Sequence, residues 1–134
     1  MTREQRGGIT VSDNDNRNIA SNKINDVSRE ILLSFWKVHI LHHAEEQPIY
    51  GQWISNELRR HGYNISPGTL YPLLKRMERN GWLKCSQSPR AGAHARKEYR
   101  LTKEGARILT LIRAQVEELH GEVVEEARKH RRRC

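Results

Sequence analysis

At 134 residues, 36% hydrophobic and 30% charged, the chain suits one domain with a modest core, and no apolar run approaches the ~20 residues that span a bilayer. The first residues hold no apolar h-region, and Cys85 and Cys134 lie too far apart to suggest a disulfide scaffold or a metal knuckle. A cytoplasmic, nucleoid-associated location is therefore expected, with no membrane partner. The net charge of +8 is concentrated: eleven Lys/Arg stand against three Asp/Glu from Glu57 to Lys103, and the rest of the chain is neutral, which suits a polyanion.

Residues 1–25 are polar and read as a flexible arm whose basic residues are offset by its own acids. From residue 26 the pattern becomes helical. Asp26 or Ser28 can cap a helix reaching about Ala44, with one apolar stripe of Val27, Ile31, Phe35 and Val38 and a second of Leu32, Trp36 and Ile40. A helix this apolar needs cover on two sides. The expected division gives one side to the domain core and assigns Leu32, Trp36 and Ile40 to a partner.

A second helix runs from about Tyr50 to Arg60, with Trp53, Ile54 and Leu58 facing inward. Gly62-Tyr63-Asn64 turns the chain into the most informative stretch, SPGTLYPLLKRMERNGWL, from Ser66 to Leu83. Ser66 suits an N-cap and Pro67 the first helical position. Leu70, Leu73, Leu74 and Met77 make one apolar face, and Asn80-Gly81 ends the helix. Pro72 predicts a kink or an irregular first turn. The opposite face carries Thr69, Tyr71, Lys75, Arg76 and Arg79, the composition that major-groove reading requires.

Trp82–Ser86 and Lys97–Leu101 read as two strands joined by a loop of small and basic residues, a β-hairpin wing. Arg90, His94, Arg96 and Lys97 are placed to reach phosphate or the minor groove. Thr102 caps a last helix from Lys103 to about Lys129, about 40 Å long at 1.5 Å per residue. Its Leu109, Ile112, Val116, Leu119 and Val123 follow a heptad seam that one small domain cannot cover, which predicts a homodimer. A helix folded back on its own domain is the alternative.

The fold class expected is mainly α (α+β): a winged helix-turn-helix with a long C-terminal dimerisation helix. The arm would occupy 1–25, the winged domain 26–102, and the helix with its basic tail 103–134. Ser66, Gly68, Thr69, Tyr71 and Lys75 would enter the major groove or clasp its edge. Arg76 and Arg79 would contact phosphate or the dimer surroundings.

Tyr50-Gly51, the run Ser66–Leu74, the run Glu78–Leu83 and the run Arg96–Gly105 together resemble the PadR family of bacterial transcriptional regulators. The resemblance covers roughly residues 31 to 125, and its most specific element is Thr69-Leu70-Tyr71-Pro72. It implies a homodimeric repressor that binds a palindromic operator in double-stranded DNA and is often released by a small molecule. Trp36 is the candidate wall of a pocket for a small aromatic or apolar effector. A rival from another class is a winged-helix interaction module whose basic face binds an acidic protein.

His39, His42 and His43 have a helical spacing that can hold a metal. With no third ligand type near in sequence and neither cysteine close, they are expected to be interface histidines whose protonation could make dimerisation depend on pH, and no metal or cofactor is assigned. No Ser/His/Asp pattern, phosphate loop, HExxH or CxxC supports an enzyme.

Overall fold

A computed structural model describes residues 27–87 and 96–133. The 1–25 arm, and with it Arg90 and His94 of the wing, lie outside the described residues. The first helix, α1 (Arg29–Glu46), is capped by Ser28, whose Oγ accepts from Glu30 N at 3.2 Å. A two-residue strand β1 (Ile49–Tyr50) leads directly into α2 (Gly51–Arg60). The third helix, α3 (Pro67–Arg79), precedes the hairpin of β2 (Leu83–Gln87) and β3 (Lys97–Leu101). The last helix, α4 (Lys103–His120), continues through a π-helical stretch, Gly121–Glu126, into α5 (Ala127–Arg133).

The sheet has the order β1-β3-β2, all antiparallel, with Ile49 opposite Tyr99 and Cys85 opposite Tyr99 on the other side. Strand β1 is absent from the sequence reading because two residues, Ile-Tyr, carry no alternation to detect. β2 starts one residue later than expected. Helices α2 and α3 end the same way. Gly62 and Gly81 take positive φ (93° and 83°), and the Tyr63 and Trp82 amides reach back to Leu58 O and Met77 O, each at 3.0 Å. This is a Schellman closure, which satisfies carbonyls that a helix end leaves free and aims the chain sharply away.

Leu70, Leu73, Leu74 and Met77 of α3 are fully buried against Ile54 and Leu58 of α2 and Ile40 and Leu41 of α1. The helical assignment of α3 is unbroken across Pro72. Thr102 ties the hairpin to α3 and α4: its Oγ1 donates to Gly81 O and accepts from Gly105 N at 2.9 Å.

Several expectations need correction. Leu32, Trp36 and Ile40 are buried within their own chain, at 7%, 4% and 0% exposure, so that stripe is core and unavailable to a partner. The free stripe is the other one, with Ile31 and Phe35 about half exposed. The two stripes were interchanged because periodicity shows that both are apolar, not which one faces the core. Leu109 is likewise buried in its own domain, and Ile112 packs against that core. Only Val116, Leu119 and Val123 of the proposed seam stay exposed. Trp53 does not face inward; it is 37% exposed. The Ser66 hydroxyl makes no capping bond to the backbone and instead donates to Thr69 Oγ1 at 3.3 Å.

Candidate nucleic-acid interface

Burying the Leu/Met face of α3 leaves Ser66, Gly68, Tyr71, Lys75, Arg76 and Arg79 exposed, with Thr69 half-buried at their edge. The α3 N-terminus adds free backbone N–H groups and the positive end of the helix dipole, both favourable to phosphate. Between α3 and β3 lies a cleft of about 370 Å³ walled by Tyr71, Pro72, Lys75, Arg76, Arg79, Lys97 and Tyr99, with one acidic residue, Glu78, among them. Among the described residues, Arg60, Arg100, Arg107 and Arg113 are engaged by carboxylates, whereas Lys75, Arg76, Arg79 and Lys97 form no ion pair. These four unpaired cations line the same cleft.

The ring of Tyr71 packs on the backbone of Gly51, where an added Cβ would lie 2.6 Å from the tyrosine Oη. At the wing base, the Arg96 guanidinium sits 4.4 Å from the centre of the Tyr50 ring. Tyr50 Oη donates to Glu98 Oε2 at 3.2 Å, and Glu98 Oε1 accepts from Arg100. Arg96 is thus exposed but held over an aromatic face, a contact that leaves its N–H groups free at the rim. Tyr99, beneath the cleft, has its phenol pushed up to about 12, first by burial and then by Cys85, so it stays neutral.

A second feature lies away from this face. A groove of about 640 Å³ runs between α1 and α4, lined by Ile31, Phe35, Val38, His39, His42, Val116 and Leu119 among others. Arg113 of α4 is tied to α1, donating to Glu45 Oε1 at 2.8 Å and to Oε2 at 3.4 Å. That hydrogen bond is the main reason the Glu45 carboxyl falls below its usual range. Trp36 does not line the groove. It is buried, edge-on to Tyr63 at 6.3 Å, with no hydrogen-bond partner on its indole nitrogen among the described residues. The aromatic wall expected of Trp36 is supplied by Phe35.

Of the candidate residues named from the sequence, the fold brings Tyr71, Lys75, Arg76, Arg79 and Lys97 to one cleft, and Ser66, Gly68 and Thr69 lie at the start of α3 outside it. Sequence reasoning stops at such local placement. It missed the Gly51–Tyr71 packing and the Arg113–Glu45 tie, because residues 20 and 68 positions apart share no periodicity. It also missed that His39 and His43 face α2, where burial and then the neighbouring His61, His43 and His42 lower the pKa of His39. No described helix is long and apolar enough to cross a membrane.

Comparison with known proteins agrees with this architecture. The transcriptional regulator PadR-like family model matches residues 40–111. The transcriptional regulator Rv3488 of Mycobacterium tuberculosis is 46% identical over 96 residues, which are 72% of this chain and 89% of that protein. A PadR family regulator from Eggerthella lenta superposes with a TM-score of 0.63 at 31% identity, covering 84% of this chain and 96% of that one. Bacillus subtilis PadR, crystallised in complex with operator DNA, shares the fold at a TM-score of 0.50 and 21% identity, over 55% of this chain and 42% of its own. With its family model spanning more than half of its length and a relative this similar, the chain belongs to the PadR-like family of transcriptional regulators.

Proposed function

We propose that the chain is a homodimeric repressor that reads a palindromic operator in double-stranded DNA. The observation that carries this is the unpaired cationic face of α3 and β3, set opposite a buried core that fixes α3 rigidly. Thr69 and Tyr71 meet base edges near the start of α3; Lys75, Arg76 and Arg79 hold phosphate; Arg96 and Lys97, with Arg90 and His94, hold the flanking backbone. The operator DNA in the Bacillus subtilis structure supports the same use of the shared fold.

The second copy covers the α1–α4 groove. Val116, Leu119 and Val123 are 49%, 54% and 58% exposed, on a helix whose far half buries nothing within its own chain. Apolar exposure of this extent on paired helices calls for a partner, and a two-fold axis makes each groove the other's complement. Half-sites would then lie about one DNA turn (~34 Å) apart, or a multiple of it. A small apolar effector belongs at Phe35 in this groove, where it would alter the dimer angle and hence the half-site spacing.

The test is binding at fixed salt to an inverted repeat from the chain's own promoter and to a scrambled duplex. Strong preference for the repeat is expected. Weak binding without preference would favour the acidic-protein partner instead.

A further inference from the structure

We propose that His39, His43 and His61, with Glu57, form a binding site for a single transition-metal ion of the zinc type. Helix α1 contributes His39 and His43, four residues apart on one face; α2 contributes Glu57, and His61, the C-cap residue of α2, follows four positions later. The two pairs are packed together. One ligand nitrogen from each of the three histidines lies within 4.8 Å of the others. A tetrahedral ion with bonds of about 2.0–2.1 Å brings its ligands to roughly 3.4 Å apart, a contraction that side-chain rotation supplies.

Glu57 lies beside two of the three histidines and is the candidate fourth ligand. Its Oε1 is held by Arg60 at 2.8 Å. Its Oε2 lies 3.3 Å from His61 Nε2 and 3.6 Å from His43 Nε2. An outer carboxylate is also in place, because Glu46 Oε1 is 3.5 Å from His43 Nδ1. Such a partner orients a ligating imidazole. Among the described residues His43 Nδ1 is buried with no hydrogen-bond partner, because Glu46 at 3.5 Å stops short of one. Three imidazoles and one carboxylate suit zinc, cobalt, nickel or copper better than magnesium or calcium. Sequence spacing shows only the α1 pair; the fold supplies the other two ligands.

The experiment titrates the full chain with Co²⁺ in the absence of DNA, so its outcome is independent of operator reading. One Co²⁺ per chain, with the intense visible absorption of a tetrahedral site and displacement by Zn²⁺, is expected. His39→Ala and His61→Ala should abolish that absorption while remaining folded by circular dichroism; both rings are partly exposed. His42→Ala should keep it, which separates this site from the neighbouring His42, His43 and Glu46 cluster. Zn²⁺ should raise the unfolding midpoint of the unmodified chain and leave that of His61→Ala unchanged. Absence of stoichiometric Co²⁺ binding at micromolar concentrations, survival of the spectrum in the His39→Ala/His61→Ala double variant, or its loss in His42→Ala would overturn the assignment.

Discussion

The ring of Tyr71 fills the space that a side chain at residue 51 would need: a Cβ on Gly51 would come within 2.6 Å of Tyr71 Oη and 2.7 Å of Cζ. The first residue of α2 thereby sets the position of an exposed tyrosine on α3. Gly51→Ala should push the ring outward. Because the ring is 43% exposed, the helix need not unfold to let it move. Operator preference should fall in Gly51→Ala much as it does in Tyr71→Ala. A double-mutant cycle should give a coupling of about 0.5–3 kcal/mol in unfolding free energy. Additive effects would separate the two residues.

Lys75 and Arg79 carry unpaired charge at the α3–β3 cleft. Replacing either by Ala should weaken binding to all duplexes and lower the salt slope by roughly one unit each, as loss of a phosphate contact does. The measurement is affinity as a function of salt concentration; an unchanged slope would place the residue off the interface.

Thr69 accepts from Ser66 Oγ at 3.3 Å and lies in the first turn of α3. Thr69→Val keeps its shape and removes the hydroxyl. Relaxed discrimination with nearly intact non-specific affinity is expected when operator and scrambled duplex are titrated in parallel. An equal fall in both would make Thr69 a positioning residue.

Val116 and Leu109 share a seam in sequence but differ in place: Val116 is 49% exposed and Leu109 is 1% exposed. Val116→Asp should therefore yield a folded monomer that no longer binds the operator. Leu109→Asp should unfold the domain, because a carboxylate would be buried without a partner. Sedimentation and circular dichroism distinguish the two. Each large side chain fully covered at the interface contributes about 1.5–3 kcal/mol. A folded monomer of the unmodified chain at micromolar concentration would refute the dimer.

The hydrogen bond from Arg113 holds the Glu45 carboxyl below the usual glutamate pKa of 4.5. A carboxyl depressed in the folded state adds stability above its unfolded pKa, and that contribution disappears as pH falls through the lower, folded value. The tie between α1 and α4 should thus loosen below pH 4.5, and Arg113→Ala should remove that part of the acid dependence. Denaturation midpoints followed from neutral into acid pH provide the check.

The local chemistry of this protein is legible in its sequence. Pro67 and Gly81 bound α3, the Leu70–Met77 face buries it, Lys97–Leu101 alternates as a strand, and Thr102 caps α4, because caps, turns and periodicity depend on residues only a few positions apart. Belonging to the family was legible for the same reason, since its motifs are local. Tertiary structure alone decided which of two apolar stripes on α1 faces inward. Both Leu32-Trp36-Ile40 and Ile31-Phe35-Val38 satisfy helical spacing, and only the arrival of α2, α3 and α4 chooses between them. It also decided that Leu109 belongs to the core while Val116 does not, and that His61 and Glu57 meet His39 and His43. These relations depend on distances across the fold, which no spacing along the chain encodes.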